Sequence, residues 1–130
     1  MGAWGVGPFE NDDALDFIGE LSASGLSSLR AALLEVTAVQ PGTYVDAPSA
    51  SCAVAAAEVV AALRGTPLRG LPSEVAAWIQ RTPPDDSLGP AARQAIDRIA
   101  TDSELKELWD ESEDASGWNA YMADLLRRLA

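Results

Sequence analysis

Carboxylates are the residues of this chain whose number and spacing could do chemistry. Asp12, Asp13, Asp16 and Glu20 recur at steps that put them on one helical arc roughly 100° wide. Such an arc can be a docking face for a basic partner or a set of oxygen ligands for a hard cation. The bland alternative is a solvated face, favoured by its closeness to the positive end of the helix dipole. The D-x-D-x-D-G calcium loop with its closing glutamate is absent, which excludes an EF-hand. A second run, Asp110-Glu111-x-Glu113-Asp114, reads as a solvated loop. Glu58 is different, because it shares the stretch from Ala50 to Leu63 only with apolar or small residues and Ser51. A buried carboxylate is costly unless paired or protonated. Arg30, Arg64 or a Trp or Tyr donor are its candidate partners, and a catalytic carboxylate is the competing reading, since perturbed acids mark both kinds of site.

Other chemistry is scarce. The chain has no histidine, which removes the commonest general base and most zinc ligation. Its one cysteine, Cys52, has no internal disulfide partner and sits in the same apolar stretch as Glu58. Serines and threonines have no base beside them, and the only lysine, Lys106, is flanked by acids. Gly5-Val6-Gly7 lacks the third glycine of a dinucleotide fingerprint, since position 10 is Glu. No catalytic residue, metal site or cofactor is assigned. The net charge of −11 is carried at both ends, and the middle is neutral. That argues against nucleic acid and anionic membranes and favours a soluble protein whose partners, if any, are neutral or basic, with a basic protein the partner expected.

These residues need elements to position them. Asp46 to Gly65 (DAPSASCAVAAAEVVAALRG) predicts one buried helix. Asp46 suits its N-cap, Pro48 its first turn and Gly65 its C′ stop. Before it, Asn11 or Asp12 caps a helix to about Ser22, with Ala14, Leu15, Phe17, Ile18 and Leu21 opposite the acids. A second helix carries Leu26, Leu29, Leu33 and Val36 and stops at Gln40-Pro41-Gly42. After the central helix come a short helix over Ser73–Gln80 and a surface loop from Thr82 to Gly89. Pro90 opens a helix with Ala92, Ala95, Ile96 and Ile99 inward, and Arg93 and Asp97 are placed as a surface pair. Thr101-Asp102-Ser103-Glu104 matches a capping box before Leu105, Leu108 and Trp109. Glu111 to Gly117 reads as an acidic loop, and Trp118, Met122, Leu125, Leu126 and Leu129 mark the last helix. The first ten residues are irregular, and Trp4 among its glycines is either an anchor for that arm or a recognition residue.

The opening Gly2-Ala3-Trp4-Gly5-x-Gly7-x-Phe9-x-Asn11-Asp12-x-Ala14-x-Asp16 resembles the signature of a bacterial family, domain of unknown function 4259. The likeness continues through Tyr44-Val45-Asp46-Ala47-Pro48, Leu71-Pro72, Ser103-Glu104-Leu105-x-Glu107-Leu108-Trp109 and Trp118. It covers nearly the whole chain. It implies a small cytoplasmic bacterial domain and supplies no catalytic residues.

The expectation is an all-α, compact single domain over residues 1–130, with six or seven helices around an alanine-rich central one and residues 1–10 packed on it as an arm. The function expected is a non-enzymatic protein-interaction module of immunity-protein type, by analogy only. Asp13, Asp16, Glu20 and Trp4 are its partner-binding residues and Glu58 its buried polar candidate. The alternative is a carboxylate-based enzyme or small-ligand-binding protein with a polar seam around Glu58.

Overall fold

The computed structural model describes residues 5, 7–40, 42–67 and 70–130; Trp4 lies outside them. Seven α-helices form among these residues, with no strand. In order they are α1 (Asp12–Ser24), α2 (Leu26–Thr37), α3 (Ala47–Leu63), α4 (Ser73–Gln80), α5 (Leu88–Thr101), α6 (Glu104–Asp110) and α7 (Ala115–Leu129). The chain is an all-α single domain.

Helix α3 is the centre, and it touches each of the other helices. Its ends form as the local chemistry dictates. The Asp46 side chain accepts from the Ser49 amide at 2.8 Å, and Pro48 sits in the first turn, where no intrahelical donor is needed. At the far end Gly65 takes φ +93°, which only glycine adopts without strain. The Gly65 amide then reaches Ala62 O at 3.1 Å and the Thr66 amide reaches Ala61 O at 2.9 Å, the paired bonds of a Schellman stop. Between these ends Ala50, Ala53, Ala55, Ala56, Ala57 and Ala61 are fully buried. Small side chains let several helices approach one axis together. Leu21, Leu29, Leu33, Ile96, Ile99, Met122, Leu125 and Leu129 supply the bulk that fills the space around it.

Several boundaries differ from those expected, each for a visible reason. Helix α1 runs on to Ser24, and Leu15 is 46 % exposed on its outer side instead of packing inward. Helix α5 begins at Leu88, ahead of Pro90. Asp85 starts it by accepting from the Ser87 amide and hydroxyl, and Leu88 is buried. Pro90 is still within the first turn, where its missing donor costs nothing. The expected capping box is displaced. Ser103, not Thr101, caps α6 by accepting from the Lys106 amide at 3.0 Å, while Thr101 ends α5 and donates back to Asp97 O. Helix α7 begins at Ala115, which shortens the acidic loop before it. Arg93 and Asp97 form no ion pair among the described residues; Arg98 instead reaches the carbonyls of Val39, Gln40 and Thr43 and fastens the α2–α3 connection.

Candidate functional site

Glu58 is fully buried in the middle of α3. Its partner is Arg128 on α7, neither Arg30 nor Arg64. Arg128 donates from Nη1 to Oε1 at 2.5 Å and from Nη2 to Oε2 at 2.9 Å, a bidentate fork. The Tyr121 hydroxyl, one helical face along α7, donates to Glu58 Oε2. Arg128 also donates from Nε to Asp124 Oδ2 at 2.8 Å and from Nη1 to Thr66 O at 3.2 Å. Tyr121, Asp124 and Arg128 meet on one face because they stand three and four residues apart on one helix. The two other arginines are engaged elsewhere. Arg30 pairs with Asp85 on the surface. Arg64 crosses Gly89, where a Cβ would collide with its guanidinium, and donates to Leu129 O at 2.6 Å.

The electrostatics follow the geometry. Burial, then the adjacent Glu58 charge, pushes the Tyr121 hydroxyl well above its usual range. The Glu58 bond holds Arg128 more firmly protonated than usual. Burial opposes ionisation of Asp124, but bonds from Arg128 and Arg127 overcome it and lower its pKa. Each of these four side chains is bonded to another of them, an arrangement that locks α7 onto α3. Glu58 lines neither the cleft bordered by Trp109 and Trp118 nor the cavity between α2 and the start of α5.

The acids of α1 lie on the outside. Asp12, Asp16 and Glu20 are exposed and Asp13 is half-buried. Cys52 on α3 lies under this face, its thiol donating to Asp13 O at 3.6 Å. Desolvation, then the charges of Asp13, Glu35, Glu20 and Asp16, push the thiol from its ordinary 9.0 to about 11. The thiolate is therefore rare at neutral pH. Glu35 of α2 thus acts on the Cys52 thiol together with the α1 carboxylates. Sequence reasoning missed Glu35, since a single acid on another helix carries no periodic signal. Among the described residues no three His, Cys, Asp or Glu side chains converge to hold a metal ion. No helix among them is long and apolar enough to cross a membrane.

A cleft of about 200 Å³ opens where the N-terminal ends of α1 and α3 meet α6 and the first turn of α7. Three capped or clamped helix starts hold its walls. Asn11 accepts from the Ala14 amide at 2.8 Å, Asp46 caps α3, and Glu104 accepts from the Ala47 amide at 2.7 Å while its own amide donates to Val45 O at 2.9 Å. Trp109, Trp118, Leu105, Leu108 and Val54 give an apolar interior, with Asp13, Asn11 and Ser51 as the polar lining. Gly5 and Gly7 border it, and a Cβ on either would meet the Glu10 carboxylate folded across them. Sequence reasoning did not foresee the cleft, because its walls come from four separated segments.

Gly5, Gly7, Asn11, Pro48, Trp109 and Trp118, all among the residues that carry the family resemblance, line this one cleft. No curated protein and no solved structure matches the chain. Residues 2–121 match the family described as Domain of unknown function (DUF4259), and the chain belongs to that family.

Proposed function

We propose that this protein is a non-enzymatic interaction module of the bacterial cytoplasm that binds a basic protein partner through the acidic patch of α1 and α2. The observation that carries this is how its carboxylates divide. Glu58, the one fully buried carboxylate among the described residues, is engaged by Arg128 and Tyr121. Asp16 and Glu20 of α1 and Glu35 of α2 are exposed and all act on the Cys52 thiol, and Leu15 of α1 is exposed as well. A one-signed surface of this kind raises the encounter rate of an oppositely charged protein. The lack of histidine and the suppressed Cys52 thiol remove two of the commonest catalytic groups, which weighs against the enzyme reading. The lone cysteine and the family resemblance support the cytoplasmic bacterial setting.

The test is kinetic. A partner captured by crosslinking in the native cell is purified, and its association with the chain is followed by stopped flow at low and high salt. Asp16→Asn with Glu20→Gln and Glu35→Gln leaves the cleft lining and the core untouched. This triple variant should associate about 10-fold more slowly at low salt, and the difference should vanish at high salt, where exposed charges are screened. Equal rates for parent and variant at every salt concentration would refute the reading.

A further inference from the structure

The cleft beside the acidic patch is a second, chemically different surface. Its walls are two indoles and aliphatic side chains, and Asp13 is the only ionisable residue among those that line it. None of the described residues that line it is basic. Ser51 is 7 % exposed and lines the same space. Asn11 gives its carbonyl oxygen to the α1 cap, so its amide nitrogen remains as a donor. A carboxylate and a hydroxyl at the edge of aromatic walls suit a cation with an apolar stem. The size of about 200 Å³ suits one side chain and excludes a helix or an extended segment.

We propose that the cleft receives one arginine side chain of a basic protein partner, its guanidinium on Asp13 and Ser51 and its stem and flat face against Trp109 and Trp118. Arginine fits better than lysine on geometry. The guanidinium fork can bond a carboxylate and a hydroxyl together, and its plane stacks on indole, whereas an ammonium is a compact, strongly hydrated point charge. The surrounding charge agrees, because residues 1–46 carry seven acids and one base. This inference rests on the interaction-module reading and deepens it: the patch on α1 and α2 steers the partner, and the cleft anchors it.

The experiment uses the full chain labelled with ¹⁵N and three probes: N-acetyl-arginine methylamide and its citrulline and norleucine counterparts. A single residue binds in the millimolar range, which NMR titration reads. The arginine probe should shift the indole N–H signals of Trp109 and Trp118. Citrulline, alike in shape but neutral, should bind at least about 10-fold more weakly, as charge-assisted contacts are roughly twice as strong as neutral ones. Asp13→Asn should weaken the arginine probe to the same degree and leave the rest of the spectrum in place, since Asn11 and not Asp13 caps α1. Equal shifts from citrulline or norleucine would make the cleft a neutral apolar site and overturn the proposal. Shifts confined to amides near Asp16, Glu20 and Glu35 would overturn it too, while leaving the interaction-module reading standing. That reading fails separately, through salt-independent association of the partner.

Discussion

The Glu58–Arg128 pair makes a prediction that depends on which partner is removed. Arg128→Met leaves a carboxylate at 0 % exposure with only the Tyr121 hydroxyl for company. Breaking a buried pair in this way costs about 3–5 kcal/mol. Glu58→Gln is milder. The Arg128 side chain is 14 % exposed and keeps Asp124 and Thr66 O, so its charge is not stranded. Gln keeps one acceptor oxygen where Glu58 uses both, so at least one of its three bonds from Arg128 and Tyr121 is lost and the rest lose the carboxylate charge, a cost of about 2 kcal/mol. Replacing both residues, Glu58→Met with Arg128→Met, removes the unmatched charge and should be less destabilising than Arg128→Met alone. The assay is urea unfolding followed by tryptophan fluorescence at neutral pH, with the midpoint and slope fitted for all four proteins. The order expected is parent, then Glu58→Gln, with Arg128→Met lowest and the double variant above it. If the double variant is as unstable as Arg128→Met alone, or less stable, the buried-charge argument is wrong.

Two further outcomes follow from the core. With its thiol raised to about 11, Cys52 should react with Ellman's reagent at pH 8 about 100-fold more slowly than an unperturbed thiol, in proportion to its thiolate fraction. The rate should climb up to about pH 11 and become ordinary on unfolding in urea; prompt native-state reaction at pH 8 would place Cys52 outside the acidic patch. Ala56→Leu should cost about 1–3 kcal/mol or more in the same urea assay, because a fully buried position on the helix that contacts all the others has no room for added carbons. An unchanged midpoint would mean that α3 is loosely packed.

The central helix was legible in the sequence because its signals are local. Asp46, Pro48 and Gly65 act within a turn of their own positions, and an apolar run with no polar face must be interior. The burial of Trp109 and Trp118 followed from helical spacing in the same way. What could not be read were interactions between distant segments. Arg128 is 70 residues from Glu58, and nothing near either residue names the other. The shift of the α6 cap from Thr101 to Ser103 has the same origin. Glu104, expected to close a local capping box, is taken by the Ala47 amide of α3, a tertiary bond that sequence spacing cannot show. Leu15 faced outward for a related reason, since a wheel gives the direction of a side chain but not how far the neighbouring helix extends. The cleft combines all of these limits, with four chain segments meeting only after α3 is in place.

The evenness of α3 has a consequence of its own. A helix sheathed in alanine on all sides looks nearly alike from every direction, so burial alone rewards many rotations about its axis almost equally. A screw with no slot cannot be set to an angle. Glu58 breaks that symmetry. Turning the helix by one residue would carry the carboxylate about 100° away from the Arg128 fork and into hydrocarbon. One charged side chain thereby gives the apolar axle a unique angular setting, and through it a fixed position for Cys52 under the acids and Ser51 beside the tryptophans. Fidelity of orientation, more than strength, is what the buried ion pair contributes to this fold.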